Sequence, residues 1–305
     1  MKSGFSYSLP TLGLLSILML PLAGCDDTME PGAVFKDCET CPEMVVIPSG
    51  SFRMGDLSGA GRKNEKPVHK VRIDYSFAVG KYEVTRGEFA KFITATGYDA
   101  GNSCHVYTGS KWESRSGKTW RDPGYSQTDR DPVACVSWDD VKAYVDWMSR
   151  KSGKEYRLLS ESEWEYMARA GSTSKYPFGA SDKALCQHGN GADQSTSFDW
   201  RNKSCNDGVG EKTSPAGSYK ANKFGVYDTV GNVWEWVGDC WHDNYSGAPI
   251  DGSAWTSGGD CSKRVLRGGS WLNGPRLLRS ANRNGNNASR RSYVIGFRIA
   301  RTLSR

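Results

Sequence analysis

Residues 172 to 262 are the part of this chain that most limits what it can become. They are rich in Gly, Asn, Asp, Ser and Trp, and few windows keep a helical or strand period. So long a stretch inside a compact domain is either functional or held in place by covalent bridges and ions. The bridges are available. Setting Cys25 aside, the chain carries Cys38, Cys41, Cys104, Cys135, Cys186, Cys205, Cys240 and Cys261. An even set in an exported chain reads as a disulfide framework. Spacing leaves the connectivity open, and near neighbours are the expected partners: 38 with 41, 104 with 135, 186 with 205, 240 with 261. With 11 Trp and 35 Gly, the core is expected to be filled by aromatics rather than by long strands.

Export is written at the N-terminus. Lys2 precedes an apolar run from Leu9 to Leu22, which ends in Leu-Ala-Gly-Cys25. This is signal-peptide chemistry over residues 1–24, and the run is short for a membrane span. The Leu-Ala-Gly-Cys end resembles a bacterial lipobox, which makes Cys25 the acylated first residue. Residues 25–42 then form a lipidated tether, and the globular domain covers 43–305. The expected location is the cell envelope, as a membrane-anchored lipoprotein at the surface that meets the membrane through its anchor only.

Local signals outline the domain. Val45 to Ile47 and Ser51 to Arg53 flank Pro-Ser-Gly and read as a hairpin, with a second strand pair in "HKVRIDYSFAVGKYEV". Three capping boxes open helices: Thr85 with Glu88, Ser137 with Asp140, and Ser160 with Glu163. Gly153 is expected to close the second helix and Gly171 the third. Their apolar stripes are core and imply no cofactor.

The formal charge of +6 hides an asymmetry, because residues 261–305 hold eleven Lys and Arg and no acid. These arginines alternate with apolar, strand-like residues, so they are expected to be paired or stacked inside the fold. No recognition helix or ribonucleoprotein motif accompanies them, and nucleic acid is not an expected partner.

Enzyme motifs fail. There is no His-Glu-x-x-His, and in "GVGEKTS" Glu211 separates Gly210 from Lys212, which breaks a phosphate loop. Two clusters suit a hard cation. "YDTVGNVWEW" offers Asp228, Asn232 and Glu235 around Gly231, and "HGNGAD" with "CNDGVG" offers Asn190 and Asp207.

A resemblance covers nearly the whole domain. "MVVIPSGSFRMG", "EVTRGEFAKF", "PVACVSWDDVKAYVDWMS", "YRLLSESEWEYMARAG", "FGVYDTVGNVWEWVGDCW", "RVLRGGSW" and "IGFRIAR" occur in that order from Glu43 to Arg301. Together they resemble the formylglycine-generating-enzyme (sulfatase-modifying factor) family. The resemblance implies one α+β domain of the C-type-lectin-like fold, with short strands, few helices and long loops. It also implies structural calcium on Asp228 and Glu235 with the carbonyls of Gly231 and Val233, and on Asn190 and Asp207 with those of Gly191 and Val209. The family's catalytic pair does not carry over. Its two copper-binding cysteines follow the Gly-Gly-Ser-aromatic motif, and thiolates are what select Cu(I). Here Leu272 to Leu278 follow Trp271 and no cysteine lies beyond Cys261. No catalytic residue and no copper are expected.

Within that fold the tail is similar to the variable region of retroelement-diversified lipoproteins of the Treponema variable-protein type. Changing the first two bases of an Asn codon never yields Lys, Glu, Gln, Met or Trp. None of the five occurs between Leu272 and Val294, although they make up about a fifth of ordinary sequence. Gly268, Gly269, Trp271, Arg279, Ala281, Arg283, Ile295 and Phe297 are expected to frame the segment. Leu272, Asn273, Gly274, Arg276, Leu277, Asn284, Asn286, Asn287, Ser289, Arg291, Tyr293 and Val294 are expected to face outward as a ligand-binding surface, a composition like that of a paratope. The implied partner is a protein or other surface molecule. Two further readings share the fold: an exported formylglycine-type oxidase or lookalike enzyme, and a structural envelope lipoprotein.

Overall fold

The computed structural model describes residues 1–6 and 29–303. The expected signal segment from residue 7 onward and Cys25, the expected acylation site, lie outside the described residues. Among the described residues no helix is long and apolar enough to cross a membrane. The strands in chain order are β1 (Val34–Phe35), β2 (Met44–Ile47), β3 (Gly50–Met54), β4 (His69–Ile73), β5 (Phe77–Gly80), β6 (Ser103–Tyr107) and β7 (Trp112–Ser116). They continue with β8 (Tyr156–Leu158), β9 (Trp234–Trp241), β10 (Asp260–Arg267), β11 (Arg283–Asn287), β12 (Ile295–Phe297) and β13 (Ile299–Thr302). Short strands, few helices and long connections make this an α+β fold of the expected kind.

The three main helices form where their caps place them: α1 (Arg86–Thr96), α2 (Trp138–Ser152) and α3 (Glu161–Arg169), each opened by a complete capping box. The reciprocal bonds satisfy two orphan N–H groups at each start. Gly153 closes α2 in the left-handed region at φ 67. The third helix ends at Arg169 and is closed by Ala170, left-handed at φ 45, one residue ahead of the expected Gly171.

The hairpin expected across Pro48 does not form. β2 pairs with β5 and β3 with β4, so the four strands nest instead of pairing in sequence. All four residues of β2 are buried, whereas β3 alternates. Pro48 and Ser49 therefore carry the chain from the central sheet into a separate ribbon. The central sheet runs β1-β2-β5-β13-β8. A second sheet, β11-β10-β9-β12, has β12 parallel to β9 and the other pairs antiparallel. Helices α1 and α2 pack on this frame through rings, with Phe89 and Tyr144 at 6.0 Å and Tyr144 and Phe297 at 5.2 Å.

All four near-neighbour disulfides form. Two of them, Cys186–Cys205 and Cys240–Cys261, pin the loop-rich half. That half also holds an eight-residue strand, β9, buried on both faces, which gives no alternation to read.

Candidate functional site

The acid-free tail is built on ion pairs with the helices and loops before it. Arg283 meets Glu161 at the start of α3 through two bonds, 2.8 and 2.7 Å. Arg279 holds Glu65 at 2.7 and 2.6 Å, and Arg267 reaches Glu165. Arg291 takes both oxygens of Asp140, the acid that also caps α2. Burial pushes the Glu161 carboxyl up, but Arg283 and Arg267 together bring it below the ordinary range. The positive charge of the tail is thus largely spent on holding the tail in place. The frame residues Gly268, Gly269, Trp271, Arg279, Ala281, Arg283, Ile295 and Phe297 are all buried.

The outward set divides. Arg276, Asn284, Asn287 and Ser289 are exposed, and Asn273, Leu277, Asn286 and Arg291 are partly so. Leu272, Gly274, Tyr293 and Val294 are not outward: the three side chains are 5, 8 and 4 % exposed, and Gly274 is buried. The physical reasons are local. Leu272 and Val294 belong to the main apolar cluster. A Cβ on Gly274 would meet the Trp200 carbonyl oxygen at 2.2 Å. Tyr293 lies among Trp271, Trp112 and Tyr125, with centroids 5.2 to 5.9 Å away. Two of the partly exposed side chains are also committed, Asn273 to Ser270 at 3.0 Å and Arg291 to Asp140.

Asn284, Asn286, Asn287 and Ser289 border a feature absent from the sequence reading, the ribbon of β6 and β7, whereas Arg276 lines neither recess beside it. His105 bridges Ser292 in parallel, its N–H donating to the Arg291 carbonyl at 2.9 Å. Cys104–Cys135 ties the ribbon down beside the same edge. Between ribbon and tail lie two recesses that share Arg290. One, of about 280 Å³, is lined by Ser103, His105, Ser114, Asn287 and Ser289 with Arg290 and Arg291. The other, of about 170 Å³, has Trp112, Asn284 and Asn286 on its walls and Leu266, Val294 and Ile295 among its apolar lining. Trp112 is 44 % exposed. An isolated Trp opposite Tyr107 across a Gly-Ser turn was the available sign of this ribbon.

The two cation clusters adjoin, since Asn190 and Gly231 pair through their backbones. A Cβ on Gly231 would lie 1.9 Å from the Asn190 carbonyl oxygen, and its φ is +86. Asn190 Oδ1 and Asp228 Oδ1 are both buried without a hydrogen-bond partner, and burial raises the Asp228 carboxyl to about 6. Such orphan oxygens fit a hard cation. Asp207 accepts from the Val209 N–H and from the Tyr219 hydroxyl, both at 2.8 Å. Glu235 fits less well, because Arg298 and the Trp164 indole N–H already take its oxygens. Among the described residues no group of three or more His, Cys, Asp or Glu side chains gathers as a metal site. A cation at the first cluster would therefore lean on Asp228 and the carbonyls of Gly231 and Val233, and one at the second on Asn190 and Asp207 with the carbonyls of Gly191 and Val209.

After the Gly268-Gly269-Ser270-Trp271 entry the chain turns with Asn273 bound back to Ser270, while Leu278 packs with Tyr176, Leu185 and Val230. Every cysteine among the described residues is in a disulfide.

Comparison with known proteins agrees with this architecture. The model of the sulfatase-modifying factor enzyme 1-like domain matches residues 30–303. The formylglycine-generating enzyme of Mycobacterium tuberculosis is 31 % identical, over 84 % of this chain and 96 % of its own. The structure of PvdO from Pseudomonas aeruginosa superposes with a TM-score of 0.77 at 41 % identity, covering 90 % of this chain and all of that one. Treponema denticola variable protein 1 shares the fold, with a TM-score of 0.65 at 20 % identity over 88 % of this chain and 98 % of its own. The chain belongs to the sulfatase-modifying factor enzyme 1-like domain family.

Proposed function

We propose that this family member is a recognition protein, tethered to the envelope by lipid on Cys25, which takes its ligand on the face between the β6–β7 ribbon and the tail. The observation that carries this reading is the fate of the thiols. Copper-dependent oxidation in the manner of the family needs two thiolates beside the Gly-Gly-Ser-aromatic turn. This chain has Asn273 and Leu278 in that loop and all its described cysteines in bridges. Further along the tail the fold presents a recessed, polar surface with the exposed indole of Trp112 on its wall. Function resides in the site and not in the fold.

Retroelement-driven variation is the finer form of this reading. It is supported by the missing residue types between Leu272 and Val294 and by the exposure of Arg276, Asn284, Asn287 and Ser289. The buried Leu272, Gly274, Tyr293 and Val294 then belong to the frame. Sequencing the segment and its neighbouring DNA in many isolates tests it. Expected are a reverse transcriptase gene, a near-copy of the segment that differs at adenines, and changes confined to the exposed positions. An invariant segment with neither neighbour would sink it. Calcium has a structural part in this proposal, on the orphan oxygens of Asn190 and Asp228.

A second reading, an exported enzyme with a different chemistry on the same face, is favoured by the relatives being formylglycine-generating enzymes.

A further inference from the structure

Arg290 differs from the arginines around it. Arg267, Arg279, Arg283, Arg291 and Arg298 each face a carboxylate. The Arg290 guanidinium has no ion pair or side-chain hydrogen bond among the described residues, and only its backbone N–H is engaged, by the Asn287 carbonyl at 2.9 Å. It stands on the wall shared by both recesses, and no carboxylate lines either of them. Arg291, which reaches the larger recess, is already neutralised by Asp140.

The amides nearby face the same way chemically. Asn284 Oδ1 accepts from the Gly285 N–H at 2.9 Å, and Asn286 Oδ1 from the Asn287 N–H at 3.0 Å. Asn287 Oδ1 accepts from both the N–H and the hydroxyl of Ser289. With their oxygens occupied, the three amides offer N–H donors. His105 lines the larger recess, and burial first, then Arg290, pushes its imidazole toward the neutral form. The recesses are therefore rich in donors and free of acid, with an indole at one side. An oxygen-rich anion with an apolar ring face complements them. A peptide added as a strand needs an open edge. Here two N–H groups of β11, the outer strand of its sheet, are closed by the neighbouring asparagines.

We propose that the two recesses together bind an acidic saccharide of the uronate type. Its carboxylate pairs with Arg290, its hydroxyl oxygens accept from Asn284, Asn286 and Asn287, and the C–H face of one ring lies on Trp112. The proposal rests on the recognition role argued above and names the ligand class for that face.

The test is calorimetric titration of the mature chain with trigalacturonic acid, with a neutral galactose trisaccharide of the same linkage, and with N-acetyl-tyrosyl-glutamate. Indole fluorescence is followed in parallel. The acidic trisaccharide is expected to bind about tenfold or more tighter than the neutral one, the worth of one charge-assisted contact. Arg290→Gln is expected to abolish that preference, and Trp112→Ala to weaken both sugars. Thermal unfolding checks that each variant is folded, and Arg290→Gln carries the test if the Trp112 variant is not. The proposal is overturned if trigalacturonic acid shows no saturable binding, or if Arg290→Gln leaves its affinity unchanged. Binding of the peptide in place of the sugars removes the saccharide class and leaves the recognition role standing.

Discussion

Arg283 and Glu161 lock the middle of the tail to the first turn of α3. Nε lies 2.8 Å from Oε1 and Nη2 2.7 Å from Oε2, with both residues buried. The Tyr245 hydroxyl donates to the same carboxylate at 3.0 Å, and Arg267 stands 3.7 Å away. A segment without periodicity is thereby given one conformation.

Glu161→Ala leaves Arg283 without its carboxylate and Arg267 with only Glu165. Removing one member of a buried pair costs about 3–5 kcal/mol. Urea unfolding of the variant should show a loss of that order, and a loss under about 1 kcal/mol would contradict the locking role.

The bridges should differ in worth. Cys104–Cys135 closes a separation of 31 residues and Cys38–Cys41 one of 3. Chain-entropy reasoning gives about 4 kcal/mol for the first and about 2 for the second. Paired Cys→Ala variants compared by thermal unfolding should keep that order. The first should also weaken ligand binding, since it holds the β6–β7 ribbon. Equal losses would count against this account.

Much of this was legible in advance, for reasons tied to particular residues. Capping boxes at Thr85, Ser137 and Ser160 are local chemistry, so the helices could be read. Near-neighbour cysteines paired because each bridge closes a short excursion of loop. The nesting of β2 to β5 was not legible, because Pro-Ser-Gly is equally compatible with a turn and with a crossing between sheets. The burial of Leu272, Tyr293 and Val294 depends on Trp271, Tyr125 and the distant ribbon, contacts that no local pattern encodes. Arg290 was indistinguishable in sequence from Arg291, since only the position of Asp140 separates a paired arginine from an unpaired one.

Burial first, then the charge of Glu161, raises Asp239 to about 7. The folded chain holds this proton more tightly than the unfolded chain does. The resulting stability is present in full below the ordinary Asp range and is lost as pH rises through about 7. Asp239→Asn should flatten the fall in melting temperature between about pH 5 and about pH 8 relative to the wild type. Parallel pH profiles would contradict this.

Calcium should raise the melting temperature of the chelated protein, because a ligand that binds only the folded state stabilises it by mass action. The rise should be smaller in Asn190→Ala and in Asp228→Ala. No response in the wild type would remove the cation from the account.

The central claim is recognition without the family's oxidation. The direct measurement incubates the mature chain with Cu(I), oxygen and a peptide carrying a sulfatase cysteine motif, followed by mass spectrometry and an aldehyde-reactive probe. The account predicts an unmodified peptide under conditions in which a formylglycine-generating enzyme converts it. Formation of the aldehyde by this chain would contradict it.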